Sequence, residues 1–444
     1  MTLKKKLLSA GVATALAGAL VILAGVQSEP SLAQTSAVTA LTGARVIDGT
    51  GRAPMEQATI VINNGRIESV GAASAVKVPP GATRIDMAGR TILPGFINAH
   101  AHVNHEPATK MTVPDDLRQR LRMYADYGIT TAVSLGSQPA DDQEVRRLRD
   151  EQNKVGLDRA RVYTSGPSMR NASTAAEARA FVDRNADNKV DIIKFHMLNT
   201  AKETVTPEAY TAAIDQAHKR GLRVVAHIYD LKDAKGTVAA GLDVIGHSVR
   251  DQDVDAAFIA EMKKRDVGYI PTLTRDLSVF VYETAPSFFK DPFFLRGIAL
   301  YRREMDMMLD PGLQAKTRAS ELAKTIKVAI KQAERNLKIL SDAGVTIGMG
   351  SDTGSFNNPG RWQGYFEHTE MEMMASAGMS PMQVIVSATG GAARIMRLEK
   401  ELGTIAPGKW ADLVVLTANP LTDIRNTQKI DSVWIAGRRL NRAP

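Results

Sequence analysis

The chain has 444 residues, 44% of them hydrophobic and 23% charged, the make-up of an ordinary globular protein with room for a barrel of roughly 250–300 residues and a smaller second domain. Its formal charge is +8 at pH 7, spread along the chain rather than gathered in a Lys/Arg block, which argues against nucleic acid as a partner. There is no cysteine, so thiolate metal ligands, disulfides and a thioether lipid anchor are excluded.

In chain order, residues 1–33 read as an export signal. Lys4, Lys5 and Lys6 precede an apolar run from Leu7 to Val26, and Ser31-Leu32-Ala33 supplies small residues for cleavage. The expected location is therefore periplasmic or secreted, with an uncleaved N-terminal anchor as the alternative because the apolar run is long. After a polar linker come short β-type pieces, ARVID, TIVINNGRIESVG and RTILPG, with Asn63-Asn64-Gly65 as a hairpin signal. WADLVVLT and SVWIAGRRL near the C-terminus repeat that style. Residues 36–93 and 402–441 are thus expected to share one small β-sandwich domain built from both terminal segments.

Residues 94–401 alternate strand and helix patterns, as a parallel (β/α)8 TIM barrel requires. The strand candidates are GFINAHAH, ITTAVSLG, ARVYTSGP, DIIKFHM, RVVAHIY, DVIGHS, GYIPTLT and VTIGMGSD. Helical periodicity separates them, for instance over Pro207 to Arg220 and Asp253 to Arg265. The longest connection, from Arg275 to about Ala343, carries Phe280, Tyr282, Phe288, Phe289, Phe293, Phe294 and Tyr301. It reads either as a lid over the barrel mouth or as extra helices packing a core of their own.

Chemistry-bearing residues fall at the carboxyl ends of these strands, the face where barrel active sites lie. His100 and His102 stand at i and i+2, which on a strand puts both rings on one face, where they can share a cation. Lys194 lies in the fourth strand, His227 in the fifth, His247 in the sixth and Asp352 in the eighth. Each has an ordinary alternative: a packed histidine for His227 or His247, a helix cap for Asp352 in GSDTG. Lys194 in an apolar strand resists such a reading, because a buried ammonium is costly without a partner. Jointly, residues of these types in barrel order point to a metal-binding active site at the barrel mouth.

With these motifs in place, the chain resembles the amidohydrolase superfamily, in the binuclear branch related to imidazolonepropionase-like and Xaa-Pro dipeptidase (prolidase-like) enzymes. GFINAHAH is similar to the family's first-strand motif, IIK to its bridging-lysine strand, VVAHIY and VIGHS to its next histidine strands, and GSDTG to its final aspartate. ATGGAARIM, LGTIAPGKWADLVVL and VWIAGRRL resemble the family's ending. The resemblance implies two divalent metal ions, zinc being favoured by histidine and carboxylate ligands without excluding manganese, cobalt or iron. It places His100, His102 and Asp352 on one ion, His227 and His247 on the other, and Lys194 between them as a carbamate derived from carbon dioxide. Imidazolonepropionase itself resembles a mononuclear member without the bridging lysine, so Lys194 points away from that activity.

The implied reaction is hydrolysis of a C–N (amide) bond by a metal-bridged hydroxide, with Asp352 as base and then acid. Dipeptides or N-acyl amino acids are the expected substrates. An esterase, lactonase or phosphotriesterase-like hydrolase on the same site is the alternative, and a non-catalytic binding protein of the same fold the remote one. Tyr229, on the face of His227, and His196, two residues after Lys194, are assigned to the catalytic surroundings. Arg250, Arg275 and His368 are candidates for substrate binding, His368 having capping or packing as its ordinary alternative. His105 reads as a mouth residue and His218 as a surface helix residue. The expected partner is a small-molecule amide substrate, with no nucleic acid and no membrane after signal removal; a homo-oligomer is compatible with an exposed β-domain.

Overall fold

The computed structural model describes residues 38–197, 204–354 and 358–441, so the expected export signal lies outside the described residues. The strands in chain order are β1 (Thr39–Val46), β2 (Met55–Asn63), β3 (Arg66–Ala72), β4 (Thr83–Asp86), β5 (Thr91–Pro94), β6 (Phe96–Ala101), β7 (Ile129–Ser134), β8 (Arg161–Thr164), β9 (Ile192–His196), β10 (Arg223–His227), β11 (Val244–Gly246), β12 (Gly268–Ile270), β13 (Leu413–Leu416), β14 (Ile430–Ile435) and β15 (Arg438–Arg439).

Both ends of the chain meet in one eight-stranded sheet of order β15-β14-β13-β5-β1-β2-β3, with β4 paired to β1. The β2–β3 hairpin turns at Asn63-Asn64-Gly65 as its sequence signals, and the join between the two ends is the antiparallel β5–β13 pair. Alternation along that pair sorts the side chains. Ile92, Leu413 and Val415 enter a core with Leu41, Ile60 and Trp434, whereas Leu93, Val414 and Leu416 face the main core. Strands from across the sheet share the first core, so the sheet curls around it. The pairing traces one continuous sheet rather than the two separate layers of the expected sandwich.

The expected barrel strands form two parallel sheets, β6-β7-β8 and β12-β11-β10-β9, in chain order, a TIM-barrel-like α/β arrangement. Backbone hydrogen bonds link β8 to β9 through Asp191 N to Thr164 O, 2.8 Å, and Met169 N to Lys194 O, 2.9 Å. The eighth candidate, VTIGMGSD, carries only a bridge from Ile347 to Tyr269. It nevertheless bonds on both sides: Gly348 N donates to Tyr269 O at 2.9 Å, and Ala99 N to Met349 O at 2.9 Å.

The preceding helix, Glu321–Asp342, is capped by Ser320 and buries Ala323, Ile326, Ala329, Ile330, Ala333, Leu337 and Leu340 in one stripe. In the connection before this helix, Tyr282, Phe289, Phe293, Phe294 and Tyr301 are buried, and they pack against Trp362 and Tyr365, mostly edge-on. These aromatic side chains are therefore spent on packing.

A buried ion pair ties the parallel sheets to the terminal sheet. Arg161, in β8, donates from Nε to Asp412 Oδ2 at 2.6 Å, just before β13, and its guanidinium lies 4.6 Å from the Trp410 ring. Asp412 Oδ1 also accepts from Ala436 N at 2.7 Å. Asp412→Ala leaves the guanidinium buried without its counter-charge, which is expected to cost about 3–5 kcal/mol. Denaturant unfolding checks this; a loss below about 1 kcal/mol, the range of an exposed pair, would contradict it.

Candidate metal centre

The strand register brings the predicted side chains together. In the β9–β10 pair Val225 lies opposite Lys194 and His227 opposite His196, so all four share the inward face. His196 and His227, on one rung, stack with centroids 5.0 Å apart and planes 12° from parallel. The next rung position after His227 is Gly246 in β11. A Cβ there would sit 3.3 Å from His100 Cε1, so the missing side chain is the space that the His100 ring uses. At Gly350 a Cβ would come within 2.7 Å of His100 Cβ, so this approach also requires glycine.

His100 is the hub. Its Nε2 lies 3.2 Å from Lys194 Nζ and 3.4 Å from Asp352 Oδ1, and its ring centroid is 4.4 Å from that of His247. His247 is 4.2 Å from His227, and His102 Nε2 is 2.9 Å from Asp352 Oδ1. His100, His247 and Asp352 each bring a donor atom within 4.8 Å of the others, the separation at which one cation can be shared. The structure thus gathers His100, His102, Lys194, His227, His247 and Asp352, as the sequence reading expects.

Burial sets their charge. His100, His196, His227 and His247 are all held well below the usual histidine range, first by desolvation and then by neighbouring positive groups. Desolvation also brings the Lys194 amine down to about 7, against the pull of Asp352. Burial alone would raise Asp352, but Arg361 and His102 overcome it and hold the carboxyl well below its usual range. The cluster therefore offers neutral imidazoles, an amine near neutrality and one carboxylate. His100 Nδ1, His196 Nδ1 and His227 Nε2 are buried without a hydrogen-bond partner. His247 Nδ1, by contrast, meets Thr272 Oγ1 at 2.7 Å.

Other predicted residues fall beside the cluster. Arg250 lies over the Tyr229 ring at 4.4 Å, and both Arg250 and Arg275 contact Asp276, at 3.3 and 2.6 Å. Two guanidinium groups thus share one buried carboxylate, and Arg275 is among the charges that depress His227 and His247. His105 pairs with Asp116 at 2.9 Å, and His218, on the helix Pro207–Lys219, pairs with Asp243 at 2.9 Å.

His368 is a correction. It packs edge-on against Phe96, at the opposite end of β6 from His100, with Nδ1 3.0 Å from Thr427 Oγ1 and Nε2 2.8 Å from Tyr127 O. Both nitrogens are engaged in a fully buried setting, so the ring has no free group for substrate.

Several residues at the site carry no sequence signal of their own. Arg361 binds Asp352 Oδ2 and donates from Nε to Ser278 Oγ at 3.1 Å. It also lines a cavity of about 960 Å3, together with Asn104, Arg120, Tyr301 and Glu304. Asp276, Thr272, Glu367 and Glu370 likewise acquire their roles only in the fold.

The chain belongs to the Amidohydrolase family, which it matches over residues 91–440. It is thereby an enzyme, a hydrolase acting on carbon–nitrogen bonds. It is similar to the imidazolonepropionase of Streptomyces avermitilis, at 25% identity over 87% of each chain. It is also similar to the enamidase of Eubacterium barkeri, at 27% identity over 41% of this chain and 47% of that one. Among solved structures it resembles a Bifidobacterium longum protein described as a prolidase, with a TM-score of 0.75 and 25% identity over 92% of this chain and 96% of that one. A Xaa-Pro dipeptidase with bound methionine shares the fold, with a TM-score of 0.69 and 20% identity over 91% of this chain and 100% of that one.

The buried imidazoles make the metal-stripped protein acid-sensitive. Their folded pKa values lie below the unfolded value of about 6.5, so below that pH the unfolded chain binds protons that the fold refuses. Stability from these groups is full above about pH 6.5 and is lost as pH falls toward their folded values. Thermal melts of chelated protein are expected to show the midpoint falling from pH 7 to pH 5, with a shallower fall in His227→Asn; equal slopes would contradict this.

Proposed function

We propose that this protein is an exported hydrolase that binds two divalent cations, most simply zinc, and cleaves the amide bond of a dipeptide or an N-acyl amino acid. The observation that carries the reading is the convergence of His100, His102, Lys194, His227, His247 and Asp352 in one cluster of nitrogen donors and a single carboxylate. The donor set fits cations: burial favours the neutral form of His100, His227 and His247, which leaves one ring nitrogen of each with a free lone pair, and His227 Nε2 has no hydrogen-bond partner. His100, His102 and Asp352 would hold one ion, and His227 and His247 the other. Hydrogen bonds on both edges of residues 346–351 support a closed ring of eight strands around them.

Bound cations would polarise the scissile carbonyl and lower the pKa of the attacking water. Lys194 would add through its neutral amine to carbon dioxide: the N–C bond forms as one C=O π bond opens, the displaced proton passes to solvent, and the carbamate shares one negative charge between two oxygens. Asp352 takes a proton from the attacking water and passes it to the leaving nitrogen, for which its outer oxygen must come free of Arg361. Tyr229 and His196 border the reacting carbonyl. Arg250 and Arg275, which share the Asp276 carboxylate, are the groups offered to a substrate carboxylate. The cavity lined in part by Arg361 has the size of a small-molecule site.

Metal-loaded protein assayed on dipeptides, N-acyl amino acids, matched esters and phosphotriesters tests this. Hydrolysis of an amide class is expected, lost on chelation and restored by added zinc. Asp352→Asn is expected to lower kcat by about 10²–10⁴-fold. Turnover confined to esters or phosphotriesters would overturn the substrate assignment.

A further inference from the structure

The helix Tyr365–Ser376 carries two fully buried carboxylates, Glu367 and Glu370, one turn apart and directed at different loops of the metal centre. Glu367 Oε1 accepts from Asn98 Nδ2 at 2.6 Å, Ser351 Oγ at 2.7 Å and Thr353 Oγ1 at 2.5 Å, while Oε2 accepts from Gly364 N at 2.6 Å. Asn98 Oδ1 in turn accepts from His100 N at 3.0 Å. One carboxylate therefore fastens the residues on both sides of Asp352 to the strand that carries His100.

Glu370 does the same for the neighbouring loop. Its Oε1 accepts from Leu273 N at 2.8 Å, and its Oε2 accepts from Thr274 N and Thr274 Oγ1, both at 2.7 Å. The preceding residue, Thr272, places its hydroxyl 2.7 Å from His247 Nδ1. That contact leaves Nε2 of His247 to face the cluster.

The backbone shows what these carboxylates hold in place. Asp352, His247 and Thr272 have φ values of 57°, 70° and 51°. The left-handed region is unfavourable for side-chain-bearing residues and persists only where surroundings enforce it. It is worst for a β-branched residue such as Thr272. Burying a carboxylate also costs free energy unless its oxygens are filled by donors, and both glutamates are filled by the loops they hold.

We propose that Glu367 and Glu370 are positioning residues that set metal affinity, Glu367 through Asp352 and Glu370 through Thr272 and His247. The proposal rests on the metal-binding reading of the cluster. It predicts unequal effects for amide variants. Gln at 367 keeps an oxygen for the three side-chain donors and sets its NH2 against Gly364 N, at the start of its own helix rather than in a ligand-bearing loop. Gln at 370 must set its NH2 against the N–H of Leu273 or Thr274, next to the Thr272 that contacts His247, because those two donors occupy different oxygens.

Zinc affinity of the full chain, read by competition with a chromogenic chelator, is the test, alongside the thermal midpoint of the stripped protein. Glu370→Gln is expected to weaken zinc binding about 10–100-fold, the usual scale for groups that orient a ligand, and Glu367→Gln by less. Asp412→Asn serves as a control that lowers stability away from the centre and leaves zinc affinity unchanged. Thr272→Val keeps the β-branched shape, removes the hydroxyl from His247, and decides the matter if Glu370→Gln does not fold; it too is expected to weaken binding at least about 10-fold. Lower stability with wild-type zinc affinity in Glu370→Gln or Thr272→Val would overturn the positioning role. Failure of the wild-type protein to bind zinc would overturn the metal-binding reading itself.

Discussion

The structure depends on holding nitrogen lone pairs together in a largely desolvated cluster. Four imidazoles and a lysine amine meet at the carboxyl ends of parallel strands, and desolvation keeps the imidazoles neutral and the amine near neutrality. Protonating such a group there would bury a charge. Leaving it neutral creates an electron-rich cluster whose natural complement is a cation. Much of the surrounding architecture answers to this constraint: Gly246 and Gly350 make room for His100, and the parallel register puts Lys194, His196 and His227 on one face.

Asp352 is the counterweight. It is the carboxylate that touches the imidazoles, and its two oxygens have different partners, His100 and His102 on one side and Arg361 on the other. The Arg361 contact lowers the basicity of the group assigned to proton transfer. Arg361 also lines the neighbouring cavity.

Most of this was legible in the sequence where side-chain period and residue chemistry agree. The seven strands from GFINAHAH to GYIPTLT are short apolar runs between helical patterns, and the ligand candidates stand at their ends. VTIGMGSD was legible as a barrel segment, but its pairing rests on separate backbone bonds and a single bridge rather than a regular ladder. In EHTEMEMM the histidine drew attention because imidazole is the commoner functional group, yet His368 faces Phe96 and Thr427 while Glu367 and Glu370 face the centre. Nothing local distinguishes those faces, since seven of the helix's twelve residues are buried and it lacks an amphipathic stripe to orient it. Arg361 is similarly silent: its partners, Asp352 and Ser278, come from separate loops that only the fold brings together.

Anomalous diffraction from zinc-loaded crystals tests the central claim most directly. The account predicts two peaks, one among His100, His102 and Asp352 and the other among His227 and His247, with continuous density from Lys194 Nζ reaching both. A single peak, or an unmodified Lys194 side chain beside two occupied positions, would contradict it.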